Sequence, residues 1–333
     1  MFEKNKIIFL MNLFFINFLF CTFGNCSLID SNNSIVTMDF SSDNIYFVKL
    51  ENYNNEKKPY NVLFKIDNDG SNLEKINLKG IQIDKPNIIS VKVKNDLIMI
   101  ITFFDTIDYG CTNLFISKNN GHNWINIPFF KENKIYILDA LLEDSVFLLS
   151  TDKGIYKSTD EGIRWECDTL LPIRLYKTIV NDGDKKYYIS DSIIYYIKQN
   201  KELKSILPKQ IVMGGNLIFF NNEIYQADLK GVYYSNDFGN TWENITYNMP
   251  LPNYTQQIQI FKFRNSIYTL KKEGLYYYLS KQKYWIKLPL LKENKFFFSN
   301  NAVIFNDKLF LSSTRYGILK SDDGINFDYF FKQ

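Results

Sequence analysis

GIYKSTDEGIRW, residues 154–165, decides how the rest of this 333-residue chain is read. It opens on a glycine, continues through strand-forming residues, and ends in the order Ser158, Asp160, Gly162, Trp165. An aspartate at that place can accept hydrogen bonds from backbone amides two residues on and so hold a turn. The glycine supplies the positive φ that a tight hairpin needs. Trp165 then opens the next strand and packs over the corner. Three more segments align with it: NLFISKNNGHNW from Asn113, GVYYSNDFGNTW from Gly231 and GILKSDDGINF from Gly317. They place Ser117, Asn119, Gly121 and Trp124, then Ser235, Asp237, Gly239 and Trp242, in the same roles. The last copy is one residue shorter, with Ser321, Asp323 and Phe327.

Eroded copies fill the intervals. GLYYYLSKQKYW from Gly274 has Tyr278 for the serine and Ser280 for the aspartate; segments from Ser192 and Asn61 keep the strand pattern. Repeat starts at 61, 113, 154, 192, 231, 274 and 317 give gaps of 52, 41, 38, 39, 43 and 43 residues. A polar pair followed by a strand-type run precedes each copy, and a further short apolar run precedes that, so each period holds four short strands. A period near 40 with four strands is a β-propeller blade. The expected fold is all-β: a seven-bladed β-propeller of four antiparallel strands per blade, with the aspartate-containing turns between third and fourth strands. The expected blades span about 34–80, 86–128, 134–170, 176–208, 211–248, 257–289 and 296–333 within a propeller of residues 34–333. The last copy ends on its own outer strand and the first begins on its own inner strand. Closure is therefore expected by packing blade 1 on blade 7, with no strand borrowed across the seam.

These boxes resemble the Asp-box (BNR) repeats of sialidase-like, sortilin-like and photosystem II assembly-factor-like propellers, and of xyloglucanase-type hydrolases. The resemblance implies that the box is a structural turn at the blade periphery, away from the ligand face. It also supplies tests. Sialidases hold the substrate carboxylate with three arginines, the first ahead of the first box; guanidinium forks suit that task and lysine does not. This chain has four arginines, Arg164, Arg174, Arg264 and Arg315, none before Arg164, which itself lies inside a box. That pattern argues against sialidase activity. A glycoside hydrolase using a carboxylate pair remains an alternative, as does an assembly factor for a membrane complex.

Composition narrows the field further. A net charge of +3 argues against nucleic-acid binding. The single histidine, His122, sits in an exposed turn, and Cys111 and Cys167 lack metal-ligand spacing, so no metal or cofactor is expected. In an oxidising compartment those two cysteines are available for a disulfide; otherwise they are free thiols. Asp67, Asp69 and Gly70 form a turn rather than a calcium loop. Lys4 and Lys6 followed by the apolar run Ile7–Phe23 read as a signal peptide over residues 1–26, or as an uncleaved anchor. No later stretch is apolar enough to span a membrane. The expectation is a secreted or envelope-facing (lumenal) monomer that binds a protein or glycan partner without catalysis. Binding is expected on the face shared by the turns between second and third strands and the connections between blades. The residues singled out there are Tyr109, Lys153, Arg174, Lys230, Tyr254, Arg315 and Tyr316, since tyrosine and arginine are favoured at interfaces.

Overall fold

A computed structural model describes residues 35–51, 60–78, 81, 87–104, 111–144, 146–181, 185–190, 193–197, 203–206, 216–220, 223–228, 230–250, 258–271, 274–289, 298–313 and 317–331. The leader lies outside them. Seven four-stranded antiparallel sheets follow one another along the chain. Blade 1 is Ile35–Phe40, Asn44–Glu51, Tyr60–Asp67 and Leu73–Lys75 (β1–β4). Blade 2 is Asn87–Lys94, Leu97–Phe104, Cys111–Ser117 and Ile125–Ile127 (β5–β8), followed by a single helical turn, Phe129–Glu132 (α1). Blade 3 is Ile137–Leu142, Phe147–Thr151, Gly154–Ser158 and Glu166–Cys167 (β9–β12); blade 4 is Tyr176–Asn181, Lys186–Ser190, Ile194–Ile197 and Leu203–Ile206 (β13–β16). Blade 5 is Asn216–Phe220, Glu223–Asp228, Gly231–Ser235 and Glu243–Asn244 (β17–β20); blade 6 is Gln259–Phe263, Ser266–Lys271, Gly274–Leu279 and Tyr284–Lys287 (β21–β24). Blade 7 is Phe298–Phe305, Lys308–Ser313, Gly317–Ser321 and Asp328–Phe331 (β25–β28).

The chain is thus a seven-bladed β-propeller, as the period implies. Interior blades bury both sheet faces, so their second strands are apolar runs rather than alternations. Ile45, Tyr46, Phe47 and Val48 are all fully buried, as are Ile98, Met99 and Ile100. Side chains on one face of a blade join those of its neighbour: Met99, Ile101 and Leu114 of blade 2 form one cluster with Phe147 and Leu149 of blade 3. At the seam, Phe40 of blade 1 stacks on Phe305 of blade 7 at 4.9 Å between ring centroids, and Phe47 meets Phe331 at 5.3 Å. Each sheet is built from one continuous stretch of chain, so closure comes from this packing.

Four corners between third and fourth strands share one hydrogen-bond scheme. The hydroxyls of Ser117, Ser158, Ser235 and Ser321 each accept from the amide of Gly121, Gly162, Gly239 or Gly324 at 2.8 Å. Each donates to the Oδ1 of Asn119, Asp160, Asp237 or Asp323 at 2.9–3.1 Å. That oxygen then accepts an amide four residues on, from Asn123, Arg164 or Thr241, rather than two. The corner glycine occupies the intervening positions and throws the closing amide further along. In the shortened copy the aspartate accepts from the amides of Ile325 and Asn326 instead, at 2.8 and 2.7 Å. The indole N–H of Trp165 and of Trp242 donates to the carbonyl of Gly162 and Gly239, closing the turn. Trp124 instead reaches the Asn77 carbonyl in blade 1. At Gly162 (φ 87°) a Cβ would collide with Ile116 of the preceding blade, so close approach and backbone conformation both require glycine.

Backbone amides hold the carboxyls of Asp160, Asp237 and Asp323 below the usual carboxylate range: chiefly the amides of Arg164, Thr241 and Asn326 respectively. Because their folded pKa lies below the unfolded value of about 3.9, their stabilisation is present above that pH and is lost as pH falls through the folded pKa. Asn119 shows that asparagine keeps the same acceptor geometry without charge. Replacing all three aspartates by asparagine should therefore leave the fold intact, lower the Tm modestly at pH 7, and flatten the fall in Tm between pH 5 and pH 2. Differential scanning calorimetry across that range checks this; an unchanged acid limb would refute it.

Candidate functional site

Corners and the turns between first and second strands lie on one face; Asn120 of a corner donates to Asp96 of such a turn at 2.7 Å. The opposite face is made by the turns between second and third strands and by the connections between blades. Contacts there fix one loop on another. Thr112 donates to the Ile135 carbonyl and accepts the Ile137 amide, and the Asp152 carboxylate accepts the Tyr136 amide at 2.8 Å. Lys153, expected on this face, is exposed, and its ammonium donates to the Asn133 carbonyl at the end of α1 at 2.9 Å. Lys230 is exposed at the equivalent turn of blade 5, where its amide donates to the Asp228 carboxylate.

Arg174 is drawn inward. Its guanidinium donates to the Tyr195 hydroxyl at 3.1 Å and stacks over that ring at 5.6 Å, which orders the connection 168–176 between blades 3 and 4. The buried Asp168 carboxylate accepts the Leu170 amide, Leu171 enters the core, and Tyr176 donates to the Pro172 carbonyl. The outcome is a braced loop that turns two aliphatic side chains outward, with Leu170 half exposed and Ile173 81% exposed. Neither was anticipated; the Leu-Leu-Pro-Ile-Arg run gives no sign of which residue faces out. Tyr109, Tyr254, Arg315 and Tyr316 lie outside the described residues. Cys111 and Cys167 are free thiols, the first buried and the second half-buried, so the pairing considered above is not made here.

A second feature on this face escaped the sequence reading. The last residue of the second strand pairs with the glycine that opens the third, and it is a buried polar group in blades 3, 5, 6 and 7: Thr151, Asp228, Lys271 and Ser313. Thr151 and Asp228 brace the turn by accepting the amides of Lys153 and Lys230. Lys271 is wholly buried; it donates to the Pro250 carbonyl and lies 5.5 Å over the Tyr276 ring. The sequence signal is a polar residue three positions before the blade glycine (four in blade 7).

First strands stand side by side around the axis; Asp39, Lys92 and Asp139 on blades 1 to 3 carry charge, and blade 4 adds the Thr178 hydroxyl. Lys92 lies 3.1 Å from Asp139, which also accepts the Thr178 hydroxyl at 2.5 Å and its neighbouring amide, Ala140. Asp39 accepts the Val93 amide at 2.7 Å. Burial raises the Asp39 carboxyl while Lys92 pulls it back, and Asp139 holds the Lys92 ammonium above its usual value. Both carboxylates are thus committed to ties between blades. Substituting Lys92 by methionine leaves the two acids facing each other without a cation. The variant should lose about 1–3 kcal/mol at neutral pH, and the deficit should shrink as the pH is lowered and Asp39, whose carboxyl is already raised by burial, takes up a proton. Urea unfolding at pH 7 and pH 4 measures both; equal losses at the two pH values would contradict the assignment.

Comparisons with known proteins agree on fold. No protein-family model matches the chain, and no curated protein matches it by sequence. Among solved structures, YCF48 bound to a D1 peptide is similar at 13% identity and TM-score 0.61, covering 88% of this chain and 94% of that one. PorZ, a bacterial surface component of the type-IX secretion system of Porphyromonas gingivalis, is similar at 10% identity and TM-score 0.56 over 87% of this chain and 37% of that one. The computationally designed Ika8 protein is similar at 8% identity and TM-score 0.54, covering 87% and 84%. At these identities the likeness is one of fold.

Proposed function

We propose that this chain is a non-catalytic propeller that binds a protein partner through the face carrying the second-to-third-strand turns and the blade connections. The observation that carries the reading is the braced loop 168–176, which offers Ile173 and Leu170 to solvent on the face that also carries the exposed Lys153 turn. An aliphatic anchor on a rigid loop, with an exposed lysine on the same face, suits an extended segment that carries apolar and acidic residues. The loop is ordered before binding, so little entropy is lost on association. A propeller of similar fold is bound to a peptide, which supports a peptide-bearing partner over a sugar on this face. A secreted or envelope-facing setting rests on the leader-like run Ile7–Phe23. The engaged states of Asp39 and Asp139 weigh against the glycoside-hydrolase alternative.

Affinity capture with the chain lacking residues 1–26 tests the reading, beside the Ile173→Asp and Lys153→Glu variants and a glycan array. A partner protein retained by the native chain should be lost by Ile173→Asp and weakened by Lys153→Glu, while both variants keep the native melting temperature. Retention that ignores both substitutions, or turnover of a sugar, would sink it.

A further inference from the structure

Every described aromatic side chain is buried or half-buried except Tyr247 and Tyr284. Tyr247 is 44% exposed and stands in the connection between blades 5 and 6, on the outer rim. Its ring lies parallel to that of Tyr278, at 7° and 6.5 Å between centroids, and Tyr278 in turn packs on buried Trp285 at 4.9 Å. Tyr278 is the residue that replaces the corner serine in blade 6. Where four corners spend this position on a turn serine, blade 6 uses it to back an aromatic surface.

Polar groups border that surface. Glu243 accepts from the Tyr247 hydroxyl at 2.7 Å and from the Lys283 ammonium at 2.8 Å, and its carboxyl is lowered chiefly by Lys283 and then by Tyr247. Behind it, Glu223 accepts from the hydroxyls of Tyr225 and Tyr234 at 3.1 and 2.8 Å. Glu243 and Lys283 are both substantially exposed. The backbone adds an independent sign. Tyr247 sits at φ 41° in a turn closed by the Met249 amide on the Thr246 carbonyl. A bulky side chain at positive φ is costly, and glycine or asparagine is the ordinary choice there. Strain of this kind persists where a side chain is needed in place.

We infer that the rim between blades 5 and 6 is a binding site for a neutral glycan, with a sugar ring lying on Tyr247 and its hydroxyls meeting Glu243 and Lys283. A pyranose offers a C–H face to an aromatic ring and hydroxyl donors and acceptors at its edge. The rim matches both: an exposed ring, and an acceptor and a donor whose charges offset each other. That balance suits an uncharged polyhydroxyl ligand better than an acidic or basic peptide. The site lies between blades 5 and 6, apart from the braced loop 168–176 between blades 3 and 4, and stands or falls independently of it.

The Tyr247→Gly variant removes the ring while relieving the backbone, and therefore separates binding from folding. Cellohexaose, maltohexaose and mannohexaose are titrated against the native chain by isothermal calorimetry and by saturation-transfer NMR. At least one should bind, with a Kd that Tyr247→Gly weakens about tenfold or more while the Tm is kept or raised. Tyr247→Phe should retain most of the affinity, and Glu243→Ala should weaken it. Tyr284→Ala is the control, because strand alternation sends Tyr284 to the opposite side of β24 from buried Trp285. Failure of all three sugars to bind the native chain would overturn the inference. So would equal losses in Tyr247→Gly and Tyr284→Ala, or a fall in Tm with Tyr247→Gly, which would make the ring a structural element.

Discussion

Among the described residues no strand ladder passes from one blade to the next, so the ring is held by side chains interlocking between sheet faces. That constraint governs the sequence. A blade must be apolar on both faces, and its second strand, enclosed on every side, becomes a run such as Ile98–Ile101 instead of an alternation. Burying one large apolar side chain contributes about 1.5–3 kcal/mol, against about 0–1 for an exposed ion pair. The aromatic contacts at the seam, Phe40 on Phe305 and Phe47 on Phe331, therefore outweigh the rim ion pairs such as Lys65 with Glu74. The corners serve the same end. Their glycines press against the preceding blade, Gly121 on Ile76, Gly162 on Ile116 and Gly239 on Ile206, so each corner is a blade contact as well as a turn.

Around the axis the ring is not uniform. Blades 1 to 4 are tied by Asp39, Lys92, Asp139 and Thr178, with Glu143 bridging to Lys186 and Asn181 at the corner face. Further round, Tyr187 of blade 4 stacks on Phe219 of blade 5, and the Gln259 amide of blade 6 clasps the backbone of Ala302 in blade 7. One half is fastened by charge and the other by aromatic and amide contacts. Around the axis, the protonation of Asp39 bears on the ties of that first half.

The architecture was legible because its signals are local and repeated. Ser158, Asp160, Gly162 and Trp165 lie within eight residues, and the same turn recurs at Ser117, Ser235 and Ser321. Even the number of residues between aspartate and closing tryptophan mattered: removing one in the last copy changes which amides Asp323 captures. The charged axis was hidden because its members are about fifty residues apart in sequence and meet only when the ring closes. The inward turn of Arg174 was hidden for the same reason, since Tyr195 lies beyond two strands. Helix α1 was missed because its single turn is fixed by Phe130 packing against Trp165 rather than by any intrinsic preference.

The eroded corner of blade 6 shows how such a ring acquires a new surface. A corner contributes a turn that its neighbours also enforce through packing, so the loss of one box is tolerated when another contact takes over the junction. At blade 6 that contact is visible: the Trp285 indole donates to the Ile245 carbonyl, and Asn248 makes paired hydrogen bonds with the backbone of Trp285. The junction between blades 5 and 6 is thereby secured from the outer strand. With the turn no longer dependent on a serine, the third-strand terminus is released to carry Tyr278, and the residues around it, Tyr247, Glu243 and Lys283, are free to answer to something other than the fold.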